Sequence, residues 1–400
     1  MRSQESIVFL NTSHLPVNWF YKDLIQGVAS LFRIAVAVPR PDLLSCDLPD
    51  SIHCYRFSVT RNPSIVRFFL QMPRVLGEIR SITKDYEVIV SNNIVCGLYV
   101  AIFRIIFGGR KVWIHWFTGQ TWASKSYFVL SPLFWVDMLI YKTAERLVFD
   151  SLAQFNFFDG HSIFSADGKD IWVGFSVFGV RQSIKSVARD CYIQKRAELK
   201  SLNVSAQCLI HSRSMRFGYV GRISLEKGVF ELLLAFENLN RFGLRLQFEC
   251  WGVADDKKLE RSLRNSPFCN YHGEARDVTE CFRQIDFLLV PSFREGFGNV
   301  VLESSLFGVR SICRDIYGLT DVASFCGSLV LKGDFAADFV EGVMSGRFAT
   351  SDRDKSEYAQ KMLEKYDRVL DDGRLKCFYA KLLRSRADSP PKLHYFLEES

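Results

Sequence analysis

The 400-residue chain has no apolar run of the roughly 20 residues needed to span a bilayer. Its two best candidates, Leu98–Phe107 and Tyr127–Tyr141, are short and interrupted by Arg104 and Asp137. No secretory leader is expected, because Ile7–Leu10 already reads as a first strand. The eleven cysteines contain no C-x-x-C pair, which excludes a disulfide frame or zinc-ribbon pattern and predicts free thiols in a reducing compartment. There is no internal repeat and no low-complexity tract. The net charge of +7 is mild, and no dense basic face or nucleic-acid motif accompanies it, so a nucleic-acid partner is excluded. These absences predict a cytoplasmic protein, peripheral to the inner membrane.

What is present is a globular composition, 48% hydrophobic and 24% charged, with 35 phenylalanines as its one unusual count. The length predicts two domains, since single cores stop growing near roughly 250–300 residues. Short apolar runs alternate with helical patterns. The strand candidates are Ile7–Leu10, Ile34–Val38, Val88–Val90, Lys111–His115 and Arg146–Phe149, then Met215–Val220, Arg245–Cys250, Phe287–Val290, Val309–Cys313 and Ser328–Leu331. Such alternation implies parallel sheets covered on both faces. The charged stretch 181–212 carries no strand candidate. The expected organisation is therefore an N-terminal Rossmann-like domain at 1–185, a linker at 186–212, a C-terminal Rossmann-like domain at 213–372, and a helix within 373–400 that returns to the first domain.

Two segments point to chemistry in the second half. In Phe217-Gly-Tyr-Val-Gly-Arg-Ile-Ser-Leu-Glu-Lys-Gly228 a strand ends, Gly221 permits a tight turn, and Arg222 and Lys227 follow before a helix. A departing diphosphate needs positive donors where negative charge grows. Taken alone, the same loop is equally consistent with two solvated bases. The second segment, Pro291-Ser-Phe-Arg-Glu-Gly-Phe-Gly-Asn-Val-Val-Leu-Glu303, places Glu295 and Glu303 on either side of a Gly-x-Gly turn. Gly296 and Gly298 let backbone N–H groups approach an anion, and a helix starting near Asn299 directs its positive end at the same point. Glu303, one turn into that helix, suits ribose hydroxyls. Glu295, ahead of the turn, suits a donor sugar.

This segment resembles the signature of retaining nucleotide-sugar glycosyltransferases of family 4, which have the GT-B fold. The likeness continues through Gly308-Val-Arg-Ser-Ile-Cys-Arg-Asp-Ile-Tyr-Gly-Leu-Thr-Asp321 and is similar to a subgroup that builds bacterial capsule, O-antigen and related surface glycans. In the first half, Trp113-Ile-His-Trp-Phe-Thr-Gly-Gln-Thr-Trp-Ala123 resembles the subgroup's His-x-Phe-Thr-Gly-Gln-x-Trp segment. Asp150-Ser-Leu-Ala-Gln154 resembles its Asp-Ser-x-x-Gln element. Gly174–Val180 resembles a glycine-rich element without its middle glycine, and Arg181 stands where the family has Asp.

The resemblance implies an α/β GT-B protein with two doubly wound domains facing each other across a cleft. It implies a catalytic set of Glu295, Arg222, Lys227 and His115. It implies a donor-binding set of Glu303, Gly221, Gly296, Phe297, Gly298, Asn299, Gly119 and Gln120. The donor is a UDP-sugar by the subgroup's preference, bound as substrate, with no cofactor and no metal. The literal Asp352-Arg-Asp354 reads as a helix cap. The acceptor is a glycan or a polyprenyl-diphosphate-linked sugar. A nucleotide-sugar epimerase and an inactive scaffold are the alternatives.

A lipid acceptor agrees with the distribution of charge. Residues 56–125 hold ten Lys or Arg against three acids, a local excess of seven positive charges. Within it, Pro63–Arg80 interleaves Ile65, Phe68, Phe69, Met72, Val75, Leu76 and Ile79 with Arg67, Arg74 and Arg80, as a helix lying at an anionic membrane surface does. Packing of the same helix on the N-terminal sheet is the other reading.

Overall fold

A computed structural model describes residues 4–44, 48–60, 63–109, 111–120, 122–123, 128–166, 168–174, 182–201, 215–244, 246–369, 372–385 and 392–397. In chain order the first elements are β1 (Ser6–Leu10), α1 (Lys22–Val28), β2 (Arg33–Val38), β3 (His53–Arg56), α2 (Ile65–Thr83), β4 (Val88–Asn92), α3 (Ile94–Phe107), β5 (Val112–Phe117), α4 (Pro132–Thr143), β6 (Arg146–Phe149), α5 (Leu152–His161) and β7 (Asp170–Val173). Next come α6 (Gln182–Ser201), β8 (Phe217–Val220), α7 (Val229–Arg241), β9 (Phe248–Trp251), α8 (Lys257–Arg264), β10 (Cys269–Gly273), α9 (Val278–Gln284), β11 (Phe287–Val290), α10 (Asn299–Leu306), β12 (Arg310–Arg314), α11 (Tyr317–Cys326), β13 (Leu329–Leu331), α12 (Phe335–Met344) and α13 (Asp352–Val369). The last are α14 (Asp372–Leu382) and β14 (Leu393–Tyr395).

The chain divides into two compact units, 1–179 with 369–400, and 180–368. The first holds a parallel sheet in the order β14-β7-β6-β5-β4-β1-β2-β3, and the second a parallel sheet in the order β10-β9-β8-β11-β12-β13. Central strands such as Ile7–Leu10 and Phe287–Val290 are apolar throughout because both faces are covered. On the first sheet, Val75 and Ile79 of α2, Tyr99 of α3, Phe134 of α4 and Phe158 of α5 fill one core. Tyr21 and Tyr379 lie against Trp116 on the opposite face of β5, each with ring centroids 5.7 Å away. The abundance of phenylalanine is a packing feature: Phe117 and Phe149 stack at 5.0 Å in one unit, and Phe217 meets Phe339 edge-on at 5.1 Å in the other.

Several elements escaped the sequence pattern, among them β7, an inner strand only four residues long, and three strands for which the reason is positional. β3, β10 and β14 are edge strands, and their sequences HCYR, CNYHG and LHY are short and polar. Edges need no continuous apolar run and are commonly blunted by polar side chains. Across the expected boundary between first domain and linker, residues 182–201 form α6, which packs on α9 and α10 of the second unit and buries Ile184 and Ala188. The rest of that stretch, 202–214, lies outside the described residues.

The C-terminal segment joins the first unit through a buried polar network. β14 pairs with β7, and the Trp172 and His394 rings stack at 3.9 Å. Arg146 Nε donates to Asp170 Oδ2 at 2.8 Å, and Arg146 Nη1 donates to the Leu382 carbonyl at 2.8 Å. Burial by itself would raise the Asp170 carboxyl. The hydrogen bond from His394 and the Arg146 charge help outweigh it and hold Asp170 below its ordinary value. An acid with a depressed native value stabilises the fold above its unfolded value, near 3.9, and loses that contribution as pH falls through the native value. Asp170→Ala strands the Arg146 charge in the interior and should cost about 3–5 kcal/mol at neutral pH. Urea unfolding followed by circular dichroism should show that difference at pH 7 and a smaller one as the pH is lowered below 4.

Candidate functional site

Both sheets change direction of winding at their first strand, between β1 and β4 in the first unit and between β8 and β11 in the second. Ligands of doubly wound proteins bind outside the carboxyl ends of the strands at such a point. In the second unit this is where the two sequence-predicted segments meet, since β8 leads into Gly221–Gly228 and β11 into Pro291–Gly298.

The two loops are joined by backbone and by charge. Phe293 N–H donates to the Glu226 carbonyl at 2.9 Å. Gly228 is left-handed, with φ +70°, and a Cβ there would stand 2.4 Å from the Pro291 carbonyl oxygen, so the loops approach closer than any side chain permits. Lys227 Nζ forms an ion pair with Glu295 Oε1, and Ser292 Oγ donates to the same oxygen at 2.9 Å. Both partners of the pair are mostly buried. Arg314, at the end of β12, supports the second loop from below. Its Nε donates to the Pro291 carbonyl at 2.9 Å, its guanidinium lies 4.2 Å from the Phe293 ring centroid, and it pairs with Glu231 of α7.

The remaining predicted residues of this half cluster on the same turn. Gly221 carries φ +153°, and Tyr219 Oη, buried behind it, donates to the Arg222 carbonyl at 2.7 Å. Burial first, and then the Glu295 charge, raises that tyrosine well above its ordinary value, so it stays protonated and donating. Arg222 reaches Asp255 Oδ2 at 3.1 Å with both side chains half exposed, a contact too solvated to hold it firmly. Gly298 is the left-handed N-cap of α10, which begins at Asn299, and Glu303 lies half-buried in that helix. Phe297 is buried at 3% and anchors the turn, so only its backbone is available to a ligand. Gly318, in the first turn of α11, was not singled out by the motif. A Cβ there would fall 1.9 Å from the Glu295 carbonyl oxygen, so α11 seats the backbone of Glu295.

In the first unit the expected His115 lies largely in the interior. His115 is 1% exposed, on the core face of β5, where a Cβ on Gly97 would come within 2.6 Å of its ring. Enclosed in this way, the ring packs between β5 and α3. Trp113 Nε1 donates to Ser91 Oγ at 2.8 Å, and Ser91 Oγ stands 2.9 Å from His115 Nδ1. Burial pulls His115 down to about 3, so the ring is neutral.

The tryptophans of this motif are likewise anchors. Trp116 Nε1 donates to Asp150 Oδ1 and Trp122 Nε1 to Asp137 Oδ2, each at 2.8 Å, and burial raises both carboxyls to about 7. The Asp150–Gln154 element is a helix cap. Ser151 Oγ accepts from Gln154 N–H at 3.1 Å, Gln154 Oε1 accepts from Asp150 N–H, and Gln154 Nε2 donates to the Phe117 carbonyl. That last bond fixes the end of β5, just before Gly119, at φ +114°, and the fully buried Gln120. Most of the Gly174–Val180 element, with Arg181, lies outside the described residues. Asp354 Oδ2 accepts from Ser351 N–H and Oγ at the start of α13, a capping contact. Among the described residues no cluster of three or more His, Cys, Asp or Glu could hold a metal.

Residues 214–345 match the family described as glycosyl transferases group 1. The capsular polysaccharide biosynthesis glycosyltransferase CapM of Staphylococcus aureus is 30% identical over 127 residues, covering 30% of this chain and 33% of CapM. A relative from Bacillus subtilis (strain 168), TuaC, named for teichuronic acid biosynthesis, is 26% identical over 156 residues, covering 39% of this chain and 38% of its own. The chain thus spans about a third of the length of these curated relatives. Among solved structures, sucrose-phosphate synthase from Thermosynechococcus elongatus superposes with TM-score 0.69 at 15% identity, over 94% of this chain and 98% of its own. Anabaena HepE in complex with UDP and glucose gives 0.64 at 16%, over 96% and 100%. WaaG, a glycosyltransferase involved in lipopolysaccharide biosynthesis, gives 0.64 at 16%, over 94% and 99%. At these identities the structural likeness establishes the fold alone, which is GT-B, and the match to the glycosyl transferases group 1 family is confined to residues 214–345.

Proposed function

We propose that the protein is a retaining glycosyltransferase that moves a sugar from a UDP-sugar to a lipid-linked acceptor during the synthesis of a bacterial surface polysaccharide. The observation that carries this reading is the Lys227–Glu295 pair, held where the loops after β8 and β11 converge beside the N-terminus of α10. The names of CapM and WaaG support a polysaccharide product, and HepE, solved with UDP and glucose, supports a uridine nucleotide donor.

In this reading the diphosphate lies against the turn at Gly296–Gly298 and the start of α10, with Arg222 and Lys227 meeting its charge. Glu303 binds the ribose. Glu295 uses Oε1 to aim Lys227, and its other oxygen accepts from a sugar hydroxyl. The bond from the anomeric carbon to the diphosphate oxygen breaks, and the acceptor hydroxyl bonds to that carbon on the same face. Its proton passes to the departing phosphate oxygen, and the nucleoside diphosphate leaves. The leaving charge is met by side chains and backbone amides, and no metal or cofactor takes part.

Charge-assisted hydrogen bonds of this kind contribute roughly 1.5–3 kcal/mol each, and each 1.4 kcal/mol is about tenfold in rate. Arg222→Ala and Lys227→Ala should therefore lower kcat by about tenfold or more while raising the donor KM less, because the charge matters most as the diphosphate departs. Wild-type kcat in either variant removes that residue from the leaving-group role. Glu303→Ala should weaken UDP binding by calorimetry, and an unchanged dissociation constant excludes its ribose contact. Gly318→Ala displaces the Glu295 backbone, so turnover should fall on the order of tenfold or more even where the protein remains folded by circular dichroism.

A further inference from the structure

The first unit leaves a large apolar surface without a folding role. α2 packs on the sheet through its second half, with Val75, Leu76, Ile79 and Ile82 buried. Its first two turns project beyond that core. Phe68 stacks on Tyr99 at 4.5 Å, but Ile65 and Leu70 are 79% and 77% exposed, and Val66 and Phe69 are exposed with them. A second group stands at the start of α4, where Leu130 is 81% exposed and Trp135, half exposed, donates its Nε1 to the Val129 carbonyl. α3 packs against both α2 and α4, so the two groups belong to one helix layer. Each follows a strand, β3 or β5, and each therefore sits at the carboxyl end of the sheet, the ligand-binding rim of a doubly wound unit. Exposed apolar side chains grouped in this way mark an interaction site.

The charges beside it select the partner. Arg67 is exposed on α2 itself, Arg56 is exposed at the end of β3, and Arg74, also exposed on α2, pairs with Glu78 at 3.0 Å. Exposed Phe and Trp beside Arg, with aliphatic side chains between, suit the headgroup layer of an anionic bilayer. No described helix is long and apolar enough to cross a membrane.

We propose that the first two turns of α2 and the start of α4 insert into the interface of an anionic membrane and so bring the rim of the first unit to a lipid-linked acceptor. The acceptor in this statement rests on the proposed function; the membrane contact rests on the surface alone. Flotation with vesicles of phosphatidylglycerol and phosphatidylcholine tests it, with calorimetric UDP binding measured on the same preparations. The wild type should float with anionic vesicles, remain at the bottom with pure phosphatidylcholine, and be released by salt. Phe69→Ser with Leu70→Ser, and separately Leu130→Ser, should lower the vesicle-bound fraction on the order of tenfold with UDP binding unchanged. Arg67→Gln with Arg74→Gln should weaken binding mainly at low salt. A wild type that binds UDP but stays at the bottom with anionic vesicles overturns the membrane contact and leaves the donor reading standing. Flotation without UDP binding does the reverse. A concentration-dependent dimer that the same serine variants dissociate, without flotation, assigns the surface to a second copy of the chain and overturns the proposal.

Discussion

The second unit is organised around one close approach, between the loop after β8 and the loop after β11. Gly228 lies against the Pro291 carbonyl, Gly318 lies against the Glu295 carbonyl, and neither contact leaves room for a Cβ. Those two backbone constraints set the separation at which Lys227 and Glu295 become an ion pair instead of two solvated surface groups. Arg314 then secures the arrangement from the sheet side by holding Pro291, Phe293 and Glu231 at once. Partial burial gives the pair its weight, because charges withdrawn from water interact more strongly and are screened less.

The first unit uses its polar residues differently. Its motif residues are mostly internal: His115 on Ser91, Trp116 on Asp150, Trp122 on Asp137, and Gln154 on the Phe117 carbonyl. Each places a hydrogen-bonding group where burial would be costly without a partner. Together they fix the end of β5 and the turn at Gly119. The same network raises two carboxyls and depresses an imidazole through burial, and these shifts mark interior packing as well as they mark catalysis.

Much of the architecture was legible in the residues. Buried parallel strands such as Phe287–Val290 need apolar side chains on both faces, so they stand out as continuous runs. Strands at the edges, β3, β10 and β14, are exempt from that requirement, and their polar sequences hid them. α6 read as a linker because its charged residues outnumber the few, Ile184 and Ala188 among them, that it buries.

The order of strand, glycine turn, base and acid along Phe217–Gly228 and Pro291–Glu303 determined by itself that two glycine turns leading into helices would form, because backbone geometry is a local property. Which residues then meet was a tertiary matter. The pairing of Lys227 with Glu295 across 68 positions, the seating of Glu295 on Gly318 and the grip of Arg314 on Pro291 arise only when β11 and β12 line up beside β8. The burial of His115 was decided in the same way. A histidine on a strand carries the same local signal whether its face meets water or a helix, and only the packing of α3 over β5 settled which.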